Sequence, residues 1–380
     1  MIDPAARRRN SRRMVFDLIR ERQKLSRAQL ARETNMSFPT VMKVVDEFIA
    51  KGLLRELEEI EPMDGAGRRG HMLKFEPGAY RAIGVECEGR YAHVGMTDMT
   101  GSVLVRETIE LGDFARTRDL TPLSEAIAGM VRQTGSADVL GGCIGFPANM
   151  DPQAGAIVSY SDMGLTQPTP FCEIFPDFCQ GLHMPLLVEN DVNIACEGEA
   201  FLRQQSGHGK DMLYMSLGTG CGGALRMNGK LQRGARCRLG EVGYMLLHPA
   251  LGAPRRGQPQ DTLERAVCLQ TLEERFGVRL HDGARLSDET AAALRDYLVP
   301  LLSGAIYNLV MTLDLDLCVL AGIIPTLLGP QLHQQISDAL CAALPEEAPV
   351  CVETAFSQDA GIIGAAATVF SRQLDAVLEM

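Results

Sequence analysis

Asn190 and Asp191 follow an apolar run, Leu186–Val188, that is short enough for a buried strand. They precede a small-residue helical run, Val192–Ala200, with apolar positions at Val192, Ala195 and Cys196. A strand that ends in an amide and a carboxylate and passes straight into a helix presents both groups at the strand's carboxyl end. Open α/β sheets bind ligands there. A Gly-rich strand exit, Ser216–Gly223, and a further acidic cluster, Gly240–Tyr244, come next in the chain. Together these residues predict a small-molecule pocket built around Asn190 and Asp191.

The elements that must position this pocket read as alternating strands and helices. Ala82–Glu86, Tyr91–Thr97, Val103–Glu110, Leu140–Phe146, Met212–Leu217 and Leu313–Leu320 are apolar runs of strand length, with a short extended stretch at Ile157–Ser159. Leu120–Gln133, Phe171–Gln180 and the Gly/Ala-rich Gln358–Phe370 read as helices, and Ser161–Gly164 as a loop. Repeated strand-end glycines in such a chain indicate α/β lobes with a cleft between them.

The 380 residues are enough for two or three domains, and 46% hydrophobic content is ordinary for a globular core. Apolar runs fall well short of the ~18 residues that span a bilayer, so no membrane is expected. Met1–Asn10 is basic without the apolar segment of a signal peptide. Eleven cysteines with no CxxC then read as reduced thiols in a cytoplasm.

The net charge of −11 hides an asymmetry. Residues 1–77 carry 16 Arg/Lys against 12 Asp/Glu, and within them residues 1–55 carry 13 against 6. Residues 78–380 carry 21 against 36. A basic head on an acidic body points to an anionic partner for the head alone.

Within the head, Arg12–Glu21 reads as a helix. Ser26-Arg27-Ala28-Gln29 is a capping box opening a short second helix to Thr34, and Asn35-Met36 is a turn. Ser37 caps a third helix with the apolar stripe Val41, Val44, Val45, Phe48 and Ile49, which Gly52 ends. This is helix-turn-helix spacing. The N-terminal end of the third helix, Ser37, Phe38, Pro39 and Thr40 with Lys43 one turn on, would enter a DNA major groove. Leu53–Leu57 and Met72–Phe75 read as a hairpin wing, turning at Asp64–Gly67. Arg27 of the second helix, and Arg68 and Arg69 of the wing, are placed for phosphate or minor groove. The alternative is a three-helix protein-interaction module.

The run from Leu25 to Leu54 resembles the winged-helix heads of bacterial regulators. Asn190-Asp191 with Asn193, the Leu217–Gly223 turn, Gly240-Glu241-Val242-Gly243 and the Gly361–Ala367 helix resemble the ROK family (repressors, open reading frames, kinases). Head and body together resemble its regulator branch over nearly the whole chain. The resemblance implies a winged helix-turn-helix over 1–77 and an actin-like or hexokinase-like, ribonuclease H-like domain over 78–380. Its first lobe would cover about 78–189 plus the C-terminal helix, and its second about 190–360. It further implies a sugar pocket in the cleft and assembly as a homodimer or homotetramer.

In that family sugar hydroxyls are met by an Asn-Asp pair, by the Glu and His of a Glu-x-Gly-His motif and by a later Glu. The resemblance assigns these roles to Asn190, Asp191, Glu241, Tyr244 (in the His position) and Glu264, with Asp162 where many members have Asn. Asp191 matches the kinases' general base. The family's first phosphate motif, Asp-x-Gly-Gly-Thr, is replaced by Glu86-Cys87-Glu88-Gly89-Arg90. Two carboxylates there disfavour ATP by repulsion and by lost backbone approach. The Gly218–Gly223 turn is expected to be a plain strand-to-strand connection. At the family's zinc positions stand Tyr244, Arg255, Gly257 and Thr262, with His248 nearby, so no metal or other cofactor is expected. The chain is therefore expected to be a non-enzymatic, sugar-responsive regulator of carbohydrate genes that binds a double-stranded operator. A sugar kinase with an added DNA-binding domain and a regulator without ligand are the alternatives.

Overall fold

A computed structural model of the chain describes residues 4–60, 70–134, 139–204, 211–247, 261–346 and 349–379. The head begins with α1 (Pro4–Arg22), β1 (Lys24–Ser26), α2 (Arg27–Thr34) and α3 (Phe38–Ala50). The strands β2 (Leu54–Ile60) and β3 (His71–Phe75) follow. Local chemistry sets these boundaries. Ser26 Oγ accepts from Gln29 N at 3.1 Å while Gln29 Oε1 accepts from Ser26 N at 2.8 Å, the reciprocal capping box. Asn35 turns left-handed at φ 54 to end α2. Gly52, at φ +72, lets the chain leave α3, with Leu53 N bonding back to Phe48 O at 2.9 Å. Ser37 leads α3 without bonding its backbone, its Oγ lying 2.7 Å from Thr40 Oγ1. The strands form a sheet in the order β1-β3-β2. Phe16 packs edge-on against Phe48 and Phe75 at the centre of the head.

The body holds two five-stranded sheets of matching topology. In the first, β4 (Arg81–Glu88), β5 (Tyr91–Asp98) and β6 (Val103–Glu110) form an antiparallel meander. After α4 (Phe114–Thr117) and α5 (Thr121–Thr134), β7 (Val139–Phe146) joins parallel to β4. The short strands β8 (Asn149–Asp151), β9 (Ala156–Ser159) and β10 (Thr169–Pro170) and the helices α6 (Phe171–Ile174) and α7 (Pro176–Gly181) intervene. Then β11 (Leu186–Asn190) pairs parallel to β7 and runs into α8 (Asp191–Gln204).

The second sheet repeats this order. It comprises the meander β12 (Met212–Leu217), β13 (Cys221–Met227) and β14 (Lys230–Gln232), followed by α9 (Leu263–Val267), α10 (Leu269–Phe276) and α11 (Asp288–Leu313). Parallel β15 (Leu317–Ala321) comes next, then α12 (Ile323–Leu328), α13 (Pro330–Ala343), parallel β16 (Cys351–Thr354) and finally α14 (Ala360–Glu379). The sheet orders, β11-β7-β4-β5-β6 and β14-β13-β12-β15-β16, correspond strand for strand. Helices α8 and α14 occupy equivalent places, each following the last parallel strand of its sheet.

These two helices meet backbone to backbone. A Cβ built on Gly198 would fall 1.8 Å from Ala360 O, and one built on Gly364 would fall 1.8 Å from Ile194 O. Only glycine permits that approach. The far half of α14 carries the head. Val369, Leu374 and Val377 share one continuous core with Val15, Phe16, Val45 and Phe48. Lys51 Nζ donates to Val377 O at 2.5 Å, and the Arg20 guanidinium stands over the Phe201 ring of α8.

Several sequence expectations change. Phe171–Gln180 is two helices, because Pro176 excludes the helical conformation from Phe175 before it. The break brings Cys172 and Cys179 together in a disulfide with Cα atoms 5.7 Å apart, against the expectation of thiols throughout. Leu313 ends α11 rather than opening a strand; Asp314 turns left-handed, and β15 begins at Leu317. The Ser161–Gly164 loop contains a single 3-10 turn. Helix α11 is the one helix among the described residues that is long and apolar enough to cross a membrane. It spends that apolarity on the second lobe's core through Leu294, Leu298, Leu302 and Ile306. The expected wing turn, with Arg68 and Arg69, lies outside the described residues, as do Arg255, Gly257 and His248.

Candidate functional site

The last residues of β11 and the first of α8 build the floor of the cleft. Asn190 Nδ2 donates to Asp191 Oδ1 at 2.8 Å and to Ala148 O at 3.2 Å, while Asn190 Oδ1 accepts from Asn193 N at 3.0 Å. The amide therefore caps α8 and orients its neighbour, with both N–H groups already spent. Asp191 Oδ1 also accepts from Val192 N at 2.9 Å. Burial, the largest influence, raises the Asp191 carboxyl to about 6; the Val192 N–H opposes this, and Glu88 and Glu241 add to it.

Beneath this pair lies Glu189, buried and missed from sequence. Its Oε1 accepts from Asn190 N and Asn193 Nδ2, each at 3.0 Å, and its Oε2 accepts from Arg233 Nε at 2.9 Å. The signal was present: an acidic residue inside an apolar strand needs such partners.

The second lobe faces this floor. Gly240 holds φ +99 because its backbone passes against Gly223 O, and that approach delivers Glu241 to the cleft. Burial raises the Glu241 carboxyl most, Arg238 and a hydrogen bond from Asn149 pull it down, and Glu264 pushes it up. Glu264 Oε2 accepts from Cys221 N at 3.1 Å, which ties α9 to the start of β13. Tyr244 is 63% exposed, so its ring is free to cover a ligand. Its hydroxyl is raised by burial and then by Glu241, Glu264 and Asp162. Asp162 is exposed on the 3-10 turn, beside Tyr160. Asp191 is therefore coupled to Glu241, Glu241 to Glu264, and Tyr244 to Glu241, Glu264 and Asp162.

The nucleotide end is different. Glu88 projects from β4 towards the β12–β13 turn, where a Cβ on Gly218 would lie 3.9 Å from Glu88 Oε1. Glu86 presses on the start of α14, where a Cβ on Gly361 would lie 2.1 Å from its carboxyl carbon. Burial raises the Glu86 carboxyl to about 8, with Glu88, Asp191 and Asp359 adding to the effect and Arg106 opposing it. Gly218–Gly220 is a tight hairpin turn, closed by Gly218 N to Gly220 O at 3.0 Å. The side chains at the positions of the family's first phosphate motif are thus carboxyl groups, and the residues present there are not those that would hold ATP. The residues at the family's zinc positions do not fit zinc either. Thr262 is buried and caps α9 through Arg265 N, and Tyr244 offers a neutral phenol.

On the head, Ser37, Phe38, Pro39, Thr40 and Lys43 are all exposed along the open edge of α3, with Phe38 50% accessible. The Arg27 guanidinium is bound to Glu56 at 2.9 Å and Asp46 at 3.3 Å, and in this state it ties α2 to α3 and the wing.

A sequence model of the ROK family matches residues 82–372. The chain is similar to the xylose repressor of Caldicellulosiruptor bescii, at 25% identity over 239 residues, covering 62% of this chain and 58% of that one. It is also similar to a glucokinase of Halalkalibacterium halodurans, at 27% identity over 214 residues, covering 48% and 62%. The chain thus spans less than two thirds of the length of these curated relatives. Among solved structures it superposes on a ROK family transcriptional regulator, a homolog of the Escherichia coli MLC protein. The TM-score is 0.74 at 17% identity, with 98% of each chain covered. A ROK hexokinase from Thermus thermophilus gives a TM-score of 0.60 at 23% identity, covering 78% of this chain and 99% of that one. The fold is therefore the two-lobed α/β fold of these proteins.

Proposed function

The chain belongs to the ROK family, and on that premise we propose that it is a sugar-responsive transcription regulator of carbohydrate uptake or catabolism genes, acting as a repressor. The head binds a double-stranded operator, and a monosaccharide or sugar derivative binds between the lobes without being phosphorylated. One observation carries this reading. The head's core is continuous with α14, and the first turn of α14 lies against Glu86 in the cleft. A ligand that changes how the lobes meet must shift α8 against α14, and therefore the seat of the head. A homodimer would convert that shift into a change in the spacing of two α3 helices on a pseudo-palindromic site.

Asp191, Glu241 and Glu264, with Tyr244 and Asp162 at the rim, supply acceptors for vicinal hydroxyls. Asn190 serves by holding Asp191. Ser37, Phe38, Pro39, Thr40 and Lys43 are the DNA contacts, joined by Arg68 and Arg69 of the wing. The names of the xylose repressor and of the NagC regulator of Escherichia coli, which is 23% identical over 242 residues, support the same reading.

The test is operator binding by the full chain across a salt series. Lys43→Ala should weaken binding and flatten the log–log salt slope by about 1. An unchanged slope would remove Lys43 from the interface. The kinase reading is favoured by the similarity to a glucokinase and by Asp191, whose carboxyl near 6 suits a general base. ATP-dependent turnover of a sugar, abolished by Asp191→Asn, would establish it and refute the present proposal.

A further inference from the structure

We propose that Phe38 reads a thymine in the operator, by seating its ring against the C5 methyl group that thymine presents in the major groove. This rests on the operator reading above and specifies what one position of the head recognises. Phe38 is the first residue of α3, and the N-terminal end of that helix is the part that meets base edges in a helix-turn-helix. Half of Phe38 is exposed. Its ring belongs neither to the head's core around Phe16 and Phe48 nor to any aromatic pair among the described residues. The apolar residues on either side do pack: Met36 lies against the core and Val41 is buried. The chain thus turns one large apolar ring outward, among the exposed Ser37, Pro39, Thr40 and Lys43.

The chemistry of this end of α3 suits a methyl group rather than a hydrogen-bonding edge. Bidentate recognition of guanine or adenine uses Arg, Lys, Asn or Gln. Helix α3 contains no Arg, Asn or Gln, and its one cation, Lys43, stands more than a turn beyond Phe38. Ser37 Oγ and Thr40 Oγ1 are bonded to each other at 2.7 Å across the first turn. Pro39 fixes its own φ, which stiffens the backbone next to the ring. Among the bases only thymine offers a methyl group in the major groove, and an aromatic ring is one of its usual partners. Two acidic residues lie further along α3, and both are neutralised within the head. Arg12 holds Glu47 at 2.8 Å and Arg27 holds Asp46 at 3.3 Å. Asn35, exposed in the turn before α3, and Lys43 are left for other bases or for phosphate, so Phe38 reads one position in each half-site.

The experiment selects duplexes for the full chain from a random library. Each thymine of the selected operator is then replaced, one symmetric pair at a time, by uracil, which keeps the base pair and removes only the methyl group. At one pair the loss should be about 4-fold for each methyl and about 15-fold for both. Phe38→Ala, a change at the surface, should weaken binding to the thymine duplex and erase the difference at that pair. Uracil tolerated at every position would overturn the inference while leaving the operator reading intact. A loss that persists in Phe38→Ala would overturn the assignment to Phe38. A library that yields no preferred duplex would overturn the operator reading itself, and this inference with it.

Discussion

Gly364→Ala is the substitution that most directly tests the link from cleft to head. The added methyl would sit 1.8 Å from Ile194 O and 2.5 Å from Gly198 N. Ordinary contact begins near 3.4 Å, so α8 and α14 must part by about 1.5 Å. The obstacle is backbone, which cannot rotate aside as a side chain can. Overpacking of this kind costs about 1–3 kcal/mol and sometimes more, while alanine regains about 1 kcal/mol of helix propensity. The net expectation is a loss of up to about 2 kcal/mol, with altered sugar and operator affinities, because α8 begins at Asp191 and α14 seats the head.

The chain has no tryptophan, so unfolding is followed by circular dichroism or calorimetry. Gly198→Ala should behave alike, its methyl meeting Ala360 O at 1.8 Å. The double variant should cost little more than either single, since the helices part only once. Gly304→Ala, in α11 with nothing within 4 Å, is the control and should stabilise by up to about 1 kcal/mol. If Gly364→Ala matched that gain, the close crossing and the coupling built on it would be refuted.

Other outcomes follow from the buried charges and the caps. Glu86 holds a proton in the native state from its ordinary 4.5 up to about 8, whereas the unfolded chain has released it. Native stability therefore falls as pH rises through that window. Glu86→Gln should match the native chain at pH 4 and exceed it at pH 8.5, by at most about 5 kcal/mol, in paired denaturation curves; a constant offset would count against the buried proton. Arg203 is buried between Glu199 and Glu353, bonds Thr354 O at 3.3 Å and lies under the Phe356 ring. Arg203→Ala strands Glu199 without its counter-charge and should cost about 3–5 kcal/mol by chemical denaturation. Asn190→Ala removes the α8 cap and the clamp on Asp191. It should lose about 1 kcal/mol of stability and weaken sugar binding, and unchanged binding would show that Asp191 needs no such holder.

Short-range chemistry made much of the chain legible. The capping box at Ser26–Gln29, the Val41–Phe48 stripe, the glycine after α3 and the passage from strand to helix at Asn190-Asp191 are local patterns, and each lies where the residues alone place it. The family resemblance also implied that Glu86 and Glu88 replace a phosphate motif.

What lay beyond the sequence was pairing at a distance. The pairing of Arg27 with Glu56, 29 residues on, cannot be read from either residue's surroundings in the chain. Asn190 stands in the sequence as a pocket amide, and only the fold shows that it also caps α8 and holds Asp191. Cys172 and Cys179 look like separate thiols until Pro176 folds one helix into two. Glu86 and Glu88 come to face Gly361 and Gly218 only because two sheets of equal topology close on each other. Periodicity and caps act within a few residues and can be read along the chain. Which carboxylate meets which helix end depends on a crossing between α8 and α14, and that crossing exists only once the two lobes have packed.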